Sequence, residues 1–174
     1  MIDNNLDYIC IFEDDINLGT NVSKFLLDMS CYPEDFDIIK LESFDKEVFI
    51  DKNFNRKVLD RNVFKLVSRN LGGAGYILSR KCSQKLINFL KNCENIEAVD
   101  NFLFETILNS KKFNIYHVEP SICKQDFLIN GSYKKFSSSL ELERRKRLDK
   151  NKVRLSLPKK IIREILRIFR QIYK

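Results

Sequence analysis

The 174-residue chain is 44% hydrophobic and 32% charged, which gives a globular domain with a real core and excludes a disordered chain. Its net charge of +7 sits at one end: residues 151–174 hold eight Lys and Arg against a single acid, Glu164, while residues 1–150 hold 23 of each sign. A neutral body argues against a nucleic-acid enzyme, whose basic cleft would spread charge into the domain.

The first element in chain order is an apolar strand over residues 8–12, rich in β-branched and aromatic types. It ends in three consecutive acids, Glu13, Asp14 and Asp15. Gly19-Thr20-Asn21 marks a turn and a cap, and the spacing of Val22, Phe25, Leu26 and Met29 predicts a helix over 22–29. A second strand is expected over 36–41, with Asp37 and Lys40 making it less uniformly apolar than the first. Residues 43–62 are polar and mixed and predict short strands or loops. A third strand follows over 63–67.

Gly72, Gly73, Ala74 and Gly75 then allow close approach of the backbone to a ligand or another strand. This segment is not a P-loop, because no Gly-Lys-Ser or Gly-Lys-Thr follows it. Ser79 is placed to cap a helix from Arg80 to about Asn92, and Asp100 to cap another from Asn101 to Asn109. Residues 113–118 predict a last strand, stopped by Pro120. Strands alternating with helices indicate a layered α/β domain. Ser137-Ser138-Ser139 reads as a hinge and 140–150 as a charged helix, so the chain divides into a body over 1–136 and a tail over 137–174.

The tail carries an amphipathic pattern. At about 100° per residue, Ile161, Ile162, Ile165, Leu166, Ile168, Phe169, Ile172 and Tyr173 share one face of a helix opened by Pro158. Its lysines and arginines share the other. The helix either docks on the body or lies on an anionic membrane surface, and the local charge favours the membrane.

The five cysteines form no C-x-x-C pair, which suggests reduced thiols in a cytosolic setting. The acidic, polar N-terminus predicts no secretory leader. A lone histidine, His117, excludes a multi-histidine metal centre.

Three constellations could carry chemistry. Carboxylates at the carboxyl end of a strand suit a hard cation such as Mn²⁺ or Mg²⁺, with an acidic surface turn as the competing reading. An acid at Asp100 serves as a helix cap or as a general base on an acceptor hydroxyl. His117 is a packed residue or completes a carboxylate metal site.

Ile11-Phe12-Glu13-Asp14-Asp15, Gly73-Ala74-Gly75-Tyr76-Ile77-Leu78-Ser79 and Val99-Asp100, in this order, resemble the motifs of glycosyltransferase family 25, the bacterial lipooligosaccharide galactosyltransferases. Pro120 and Gln125 are similar to a later Pro…Gln feature. The resemblance covers roughly residues 5–130. It implies a GT-A-type α/β fold, with a UDP-sugar donor, a lipid-linked oligosaccharide acceptor and inverting transfer of a hexose, galactose being the first expectation. It also implies an N-terminal portion, ahead of the Glu-Asp-Asp strand, that this chain lacks, and Ala98 stands where the family often has proline.

By the resemblance, Glu13, Asp14, Gly73, Gly75 and Tyr76 would line the donor, Asp15 and Asp14 with His117 would hold Mn²⁺ or Mg²⁺, and Asp100 would face the acceptor or serve as the catalytic base. The expected location is the cytoplasmic face of the bacterial inner membrane, reached through residues 159–174. An inactive fragment or a partner subunit of such an enzyme is the alternative.

Overall fold

The structure is a computed structural model. It describes residues 1–28, 30, 32–44, 47–93, 97–130 and 172–173. The chain forms two compact units, Met1–Asp126 with Gln171–Lys174, and Phe127–Arg170. Of the second, only residues 127–130 are described, within a short helix, Asp126–Asn130. The charged helix expected over 140–150 and most of the amphipathic helix lie outside the described residues.

The first unit is a mixed α/β domain. Its strands are β1 (Tyr8–Phe12), β2 (Ile16–Leu18), β3 (Ile38–Lys40), β4 (Val48–Val58), β5 (Arg61–Leu66), β6 (Gly75–Ser79), β7 (Ile115–Glu119), β8 (Cys123–Gln125) and β9 (Ile172–Tyr173). Seven form one sheet in the order β1-β6-β3-β7-β5-β4-β9, and β2 pairs with β8 in a small second sheet. The β3–β7 pair is parallel. The β1–β6 and β6–β3 pairs are antiparallel. Strands β1, β3 and β7 therefore run in one direction and end on the same edge, the edge where α/β sheets gather ligands.

Both faces of the sheet are buried. One packs Ile38, Phe64, Tyr76, Leu78 and Ile115 against Leu86, Leu103, Phe104 and Ile107. The other packs Ile39, Leu41, Val63, Ile77, Tyr116 and Val118 against Phe25, Tyr32 and Ile122. The alternation Ile38/Lys40 against Ile39/Leu41 follows from the two-residue period of a strand.

The helices are α1 (Val22–Leu27) and α2 (Arg80–Leu90), then α3 (Val99–Asn101), which widens into a π-helix over Phe102–Ile107 and returns to α over Leu108–Ser110 (α4). The Cys82 N–H donates to Ser79 Oγ at 3.1 Å, so Ser79 is the expected cap of α2.

Three expectations change. Residues 43–62 include an eleven-residue strand, β4, hidden in the sequence because a register shift between Asp51 and Asn55 breaks its alternation. Asp100 is not a cap: the helix already starts at Val99, the N-cap is Ala98, and no side chain caps it. Ile172 and Tyr173 do not continue a helix but pair with Phe49 and Val48 as β9.

Two polar anchors fix the strands that end at the site. Asp37, buried at the start of β3, accepts from Lys85 Nζ at 2.7 Å and from the Asn114 N–H at 2.9 Å, tying α2 and the entry to β7 to one carboxylate. Arg61 donates to Pro120 O at 2.8 Å and to Thr20 O at 2.6 Å, holding the two connections beyond β7 and β2 together.

Candidate active site

The three co-directional strands each end in a carboxylate: Glu13 just after β1, Glu42 just after β3 and Glu119 closing β7. Each is held differently.

Glu13 is exposed at the end of β1. Its backbone N–H donates to Ala74 O at 2.9 Å, which docks it on the glycine loop. Gln125 Nε2 donates to its Oε2 at 2.8 Å. Next to it, Asp15 O accepts from the Asp126 N–H at 2.8 Å, so the acidic run is pinned to β8 and the residue after it. Asp14 is exposed and Asp15 half-buried.

Gly73 is where the separate sequence motifs meet. A methyl group placed on it would stand 3.7 Å from Asp100 Cβ and 3.8 Å from both Glu13 Oε1 and Val99 Cγ1. Three segments far apart in the chain therefore converge on one glycine. Because Asp100 lies inside the helix and does not cap it, its carboxylate is not committed to the helix end. Gly75 does a different job. A Cβ there would collide with Cys123 Sγ and stand 3.1 Å from the Phe12 ring, so this glycine lets β8 close against β1 and does not face a ligand. Tyr76 is buried too, its ring edge-on to Phe104 with centroids 6.0 Å apart. Burial pushes its phenol pKa up, and the charge of Glu13 adds to the shift.

Beneath the glycine loop lies a buried ion pair with no counterpart in the sequence motifs. Lys40 Nζ donates to Glu42 Oε1 at 3.4 Å, to Leu71 O at 3.0 Å and to Gly72 O, and stands 4.0 Å from the Phe104 ring centroid. The Ala74 N–H donates to Glu42 Oε1 at 2.6 Å. Both side chains are fully buried. Together they satisfy carbonyls 71 and 72 and amide 74, and so hold the glycine loop in place. Gly72 has φ +89°, and a Cβ on it would lie 2.6 Å from Glu42 Oε1, so only glycine fits. The one available hint was a lysine inside the apolar run Ile38-Ile39-Lys40-Leu41.

His117 is buried on the same sheet face as Lys40, its register partner. Its Nε2 lies 3.1 Å from Ser43 Oγ and 3.4 Å from Glu119 Oε2. Burial lowers its pKa. The bond to His117 holds the Glu119 carboxyl below its ordinary value. Among the described residues, no group of three or more His, Cys, Asp or Glu side chains is arranged to hold a metal ion, and the side-chain partners of His117 are Ser43 and Glu119.

An open apolar groove of about 550 Å³ is lined by Tyr76, Leu86, Leu90, Val99 and Phe102 among others. Val99 also stands beside Gly73. Among the described residues no helix is long and apolar enough to cross a membrane.

The ordered meeting of the Glu-Asp-Asp strand, the Gly-Tyr segment and Val99-Asp100 is matched by comparison with known proteins. The model of glycosyltransferase family 25 (LPS biosynthesis protein) matches residues 1–103. The chain belongs to glycosyltransferase family 25.

It is 38% identical over 96% of its length to a putative glycosyltransferase of Haemophilus influenzae, covering 57% of that protein. It is 35% identical over 84% of its length to the lipooligosaccharide biosynthesis protein lex-1 of the same species, covering 51%. It is 32% identical over 79% of its length to the lacto-N-neotetraose biosynthesis glycosyltransferase LgtE of Neisseria gonorrhoeae, covering 50%. The chain thus spans about half the length of these relatives. Within the family match lie Glu13, Gly73 and Asp100, but not His117 or Gln125.

Proposed function

We propose that this chain carries the reaction centre of a glycosyltransferase that moves a hexose, galactose first, from a UDP-sugar to a lipooligosaccharide acceptor with inversion. The observation that carries the reading is the convergence of Glu13 and Asp100 on Gly73 at the carboxyl edge of β1, β3 and β7.

In the proposed reaction an acceptor hydroxyl oxygen forms a bond to the anomeric carbon while that carbon's bond to the UDP phosphate oxygen breaks. Asp100 takes the hydroxyl proton. Glu13, fixed by Gln125 and by its bond to Ala74, orients the donor sugar against Asp100. Gly73 keeps the space between the two carboxylates clear. Gly75 and Tyr76, both buried, act by holding β6 against β1.

The acidic run suits Mn²⁺ or Mg²⁺ by donor chemistry alone: three consecutive side chains with hard carboxylate oxygens, the type of donor such cations take together with substrate phosphates. Asp15 and Asp14 would hold it. When bound, the cation would offset charge on the departing diphosphate. The eight basic residues of 151–174 and the apolar face of the segment support association with an anionic, cytoplasmic membrane surface, where a lipid-linked acceptor would reside.

Calorimetry with UDP and Mn²⁺ tests the donor site. Binding is expected in the unmodified chain and lost in Asp15→Ala with unchanged thermal unfolding. A folded chain that shows no heat with UDP and Mn²⁺ would sink the reading. Asp100→Asn is expected to keep UDP binding and lower sugar transfer by about 10²–10⁴-fold.

A further inference from the structure

The strand that runs into the acidic residues, β1, lies at one end of the seven-stranded sheet and pairs only with β6 among the described strands. We propose that its outer edge is an interaction surface for a strand of a different polypeptide, one with alternating apolar residues and a basic residue to stand beside Glu13, Asp14 and Asp15. The proposal stands on the geometry of the edge and does not depend on the glycosyl-transfer reading.

Hydrogen bonds at the two ends of the β1–β6 pair fix which backbone groups face outward. The Arg80 N–H donates to Asp7 O at 2.8 Å, and the Glu13 N–H to Ala74 O at 2.9 Å. Hydrogen-bonded positions alternate along an antiparallel pair. Asp7, Ile9, Ile11 and Glu13 therefore turn their N–H and C=O towards β6. Tyr8, Cys10 and Phe12 turn theirs to the open side. Each offers one donor and one acceptor, a ready template for a further strand.

Natural sheets blunt such an edge with a lysine, a proline, a bulge or an inward charge. Residues 8–12 contain no charged residue and no proline, and their register with β6 runs unbroken from Tyr8 to Phe12. None of them is buried, and Cys10 is exposed. The apolar surface continues on one face. Ile9 and Ile11 stand opposite Leu78 and Tyr76, which line the apolar groove together with the exposed Leu90 and Val99. A continuous exposed patch of this kind marks an interaction site.

Charge selects the occupant. At the start of the strand Asp7 is paired with Arg80 at 3.0 Å. At its end stand three acids in a row, of which Glu13 and Asp14 are exposed. A second copy of this chain meets repulsion there. Antiparallel pairing centred on Cys10 sets Asp7 of each copy opposite Glu13 of the other, and parallel pairing sets each acidic run beside itself. The chain's own basic end is on the far side, because Ile172 and Tyr173 pair with β4 at the opposite end of the sheet. A strand from another polypeptide, with a lysine or arginine beyond its apolar run, meets neither obstacle.

The test is amide hydrogen exchange, followed by NMR on the full chain, alone and with the peptide Val-Thr-Val-Thr-Val carrying either a lysine or a glutamate at each end. In the chain alone, the Tyr8, Cys10 and Phe12 amides should exchange fast while those of Ile9 and Ile11 are protected. The lysine peptide should slow the three fast amides, and the glutamate peptide should bind about tenfold more weakly. Cys10→Pro removes only an outward N–H, so it should abolish peptide binding and leave Ile9 and Ile11 protected. Cys10→Lys keeps the backbone donor, guards against loss of fold in the proline variant, and should also weaken binding. Slow exchange throughout residues 8–12 in the chain alone would mean that the edge is already covered, and would overturn the proposal. Protection of Cys10 that grows with protein concentration would assign the edge to a second copy and overturn it too. Failure of the lysine peptide to protect the three amides, or equal binding of the two peptides, would do the same.

Discussion

Two acidic regions of this molecule lie within a few residues of the same glycine loop and are built in opposite ways. Glu13 and Asp14 are exposed and Asp15 half-buried; Glu13 accepts from Gln125, and the backbone of Glu13 and Asp15 is bonded to Ala74 and Asp126. Glu42 is fully buried, paired with an equally buried Lys40 and bonded to the loop amide of Ala74. The first region lies at the surface. The second uses a carboxylate to hold the loop on which the first is docked. Acid near a site is therefore no guide to role; burial and the direction of the hydrogen bonds are.

The comparison breaks most sharply at Lys40. Lys40→Met strands a buried carboxylate and two loop carbonyls, and should cost about 3–5 kcal/mol in urea unfolding. Asp15→Ala, on the exposed side, should stay within about 0.5 kcal/mol. Equal costs would mean that the buried pair does not organise the loop.

The two glycines sharpen it next. Gly75→Ala meets Cys123 Sγ and the Phe12 ring and should lose about 1–3 kcal/mol. Gly73→Ala meets only ordinary contacts at 3.7–3.8 Å and should fold normally. It fills the space between Glu13 and Asp100, so its loss should appear in transfer rate. A Gly73→Ala chain with full transfer activity would separate the two carboxylates functionally.

The smallest effect is in pH. Burial lowers the His117 pKa, so over the window below its ordinary 6.5 the unfolded chain binds the proton that the folded chain refuses. Stability should therefore fall as pH drops from about 7 towards 5. Glu119, also lowered, contributes the same sign, but only below its ordinary 4.5. In denaturant titrations at several pH values, His117→Gln should flatten the upper window whatever it does to absolute stability. An unchanged slope would place the titrating group elsewhere.

Much of the fold was legible locally. The strand running into Glu13, the Ser79 cap with its helix, and the strand before Pro120 need only short-range signals: β-branched runs, a side-chain cap and a breaker. The order of the three motifs was enough to place the chain in glycosyltransferase family 25. Gln125, noticed only as part of a late Pro…Gln feature, turned out to hold Glu13.

What the sequence could not decide were the long-range facts. Strand β4 was illegible because its bulge breaks the two-residue alternation on which recognition depends. Asp100 looked like a cap because a cap and a helix residue one position inside differ only in backbone geometry. His117 went to Ser43 and Glu119 and did not join the acidic run, because its strand lies beside β3 and β5, with β6 and β3 between it and β1. Lys40 and Glu42 read as ordinary charges, since only the closure of the sheet and of the π-helix over them removes water and turns them into the anchor of the site. Sequence by itself determined the elements with strong local signals and the family the chain belongs to. The tertiary structure decided which carboxylates stay at the surface and which are buried in the fold, because burial and hydrogen-bond partners exist only once distant strands have met.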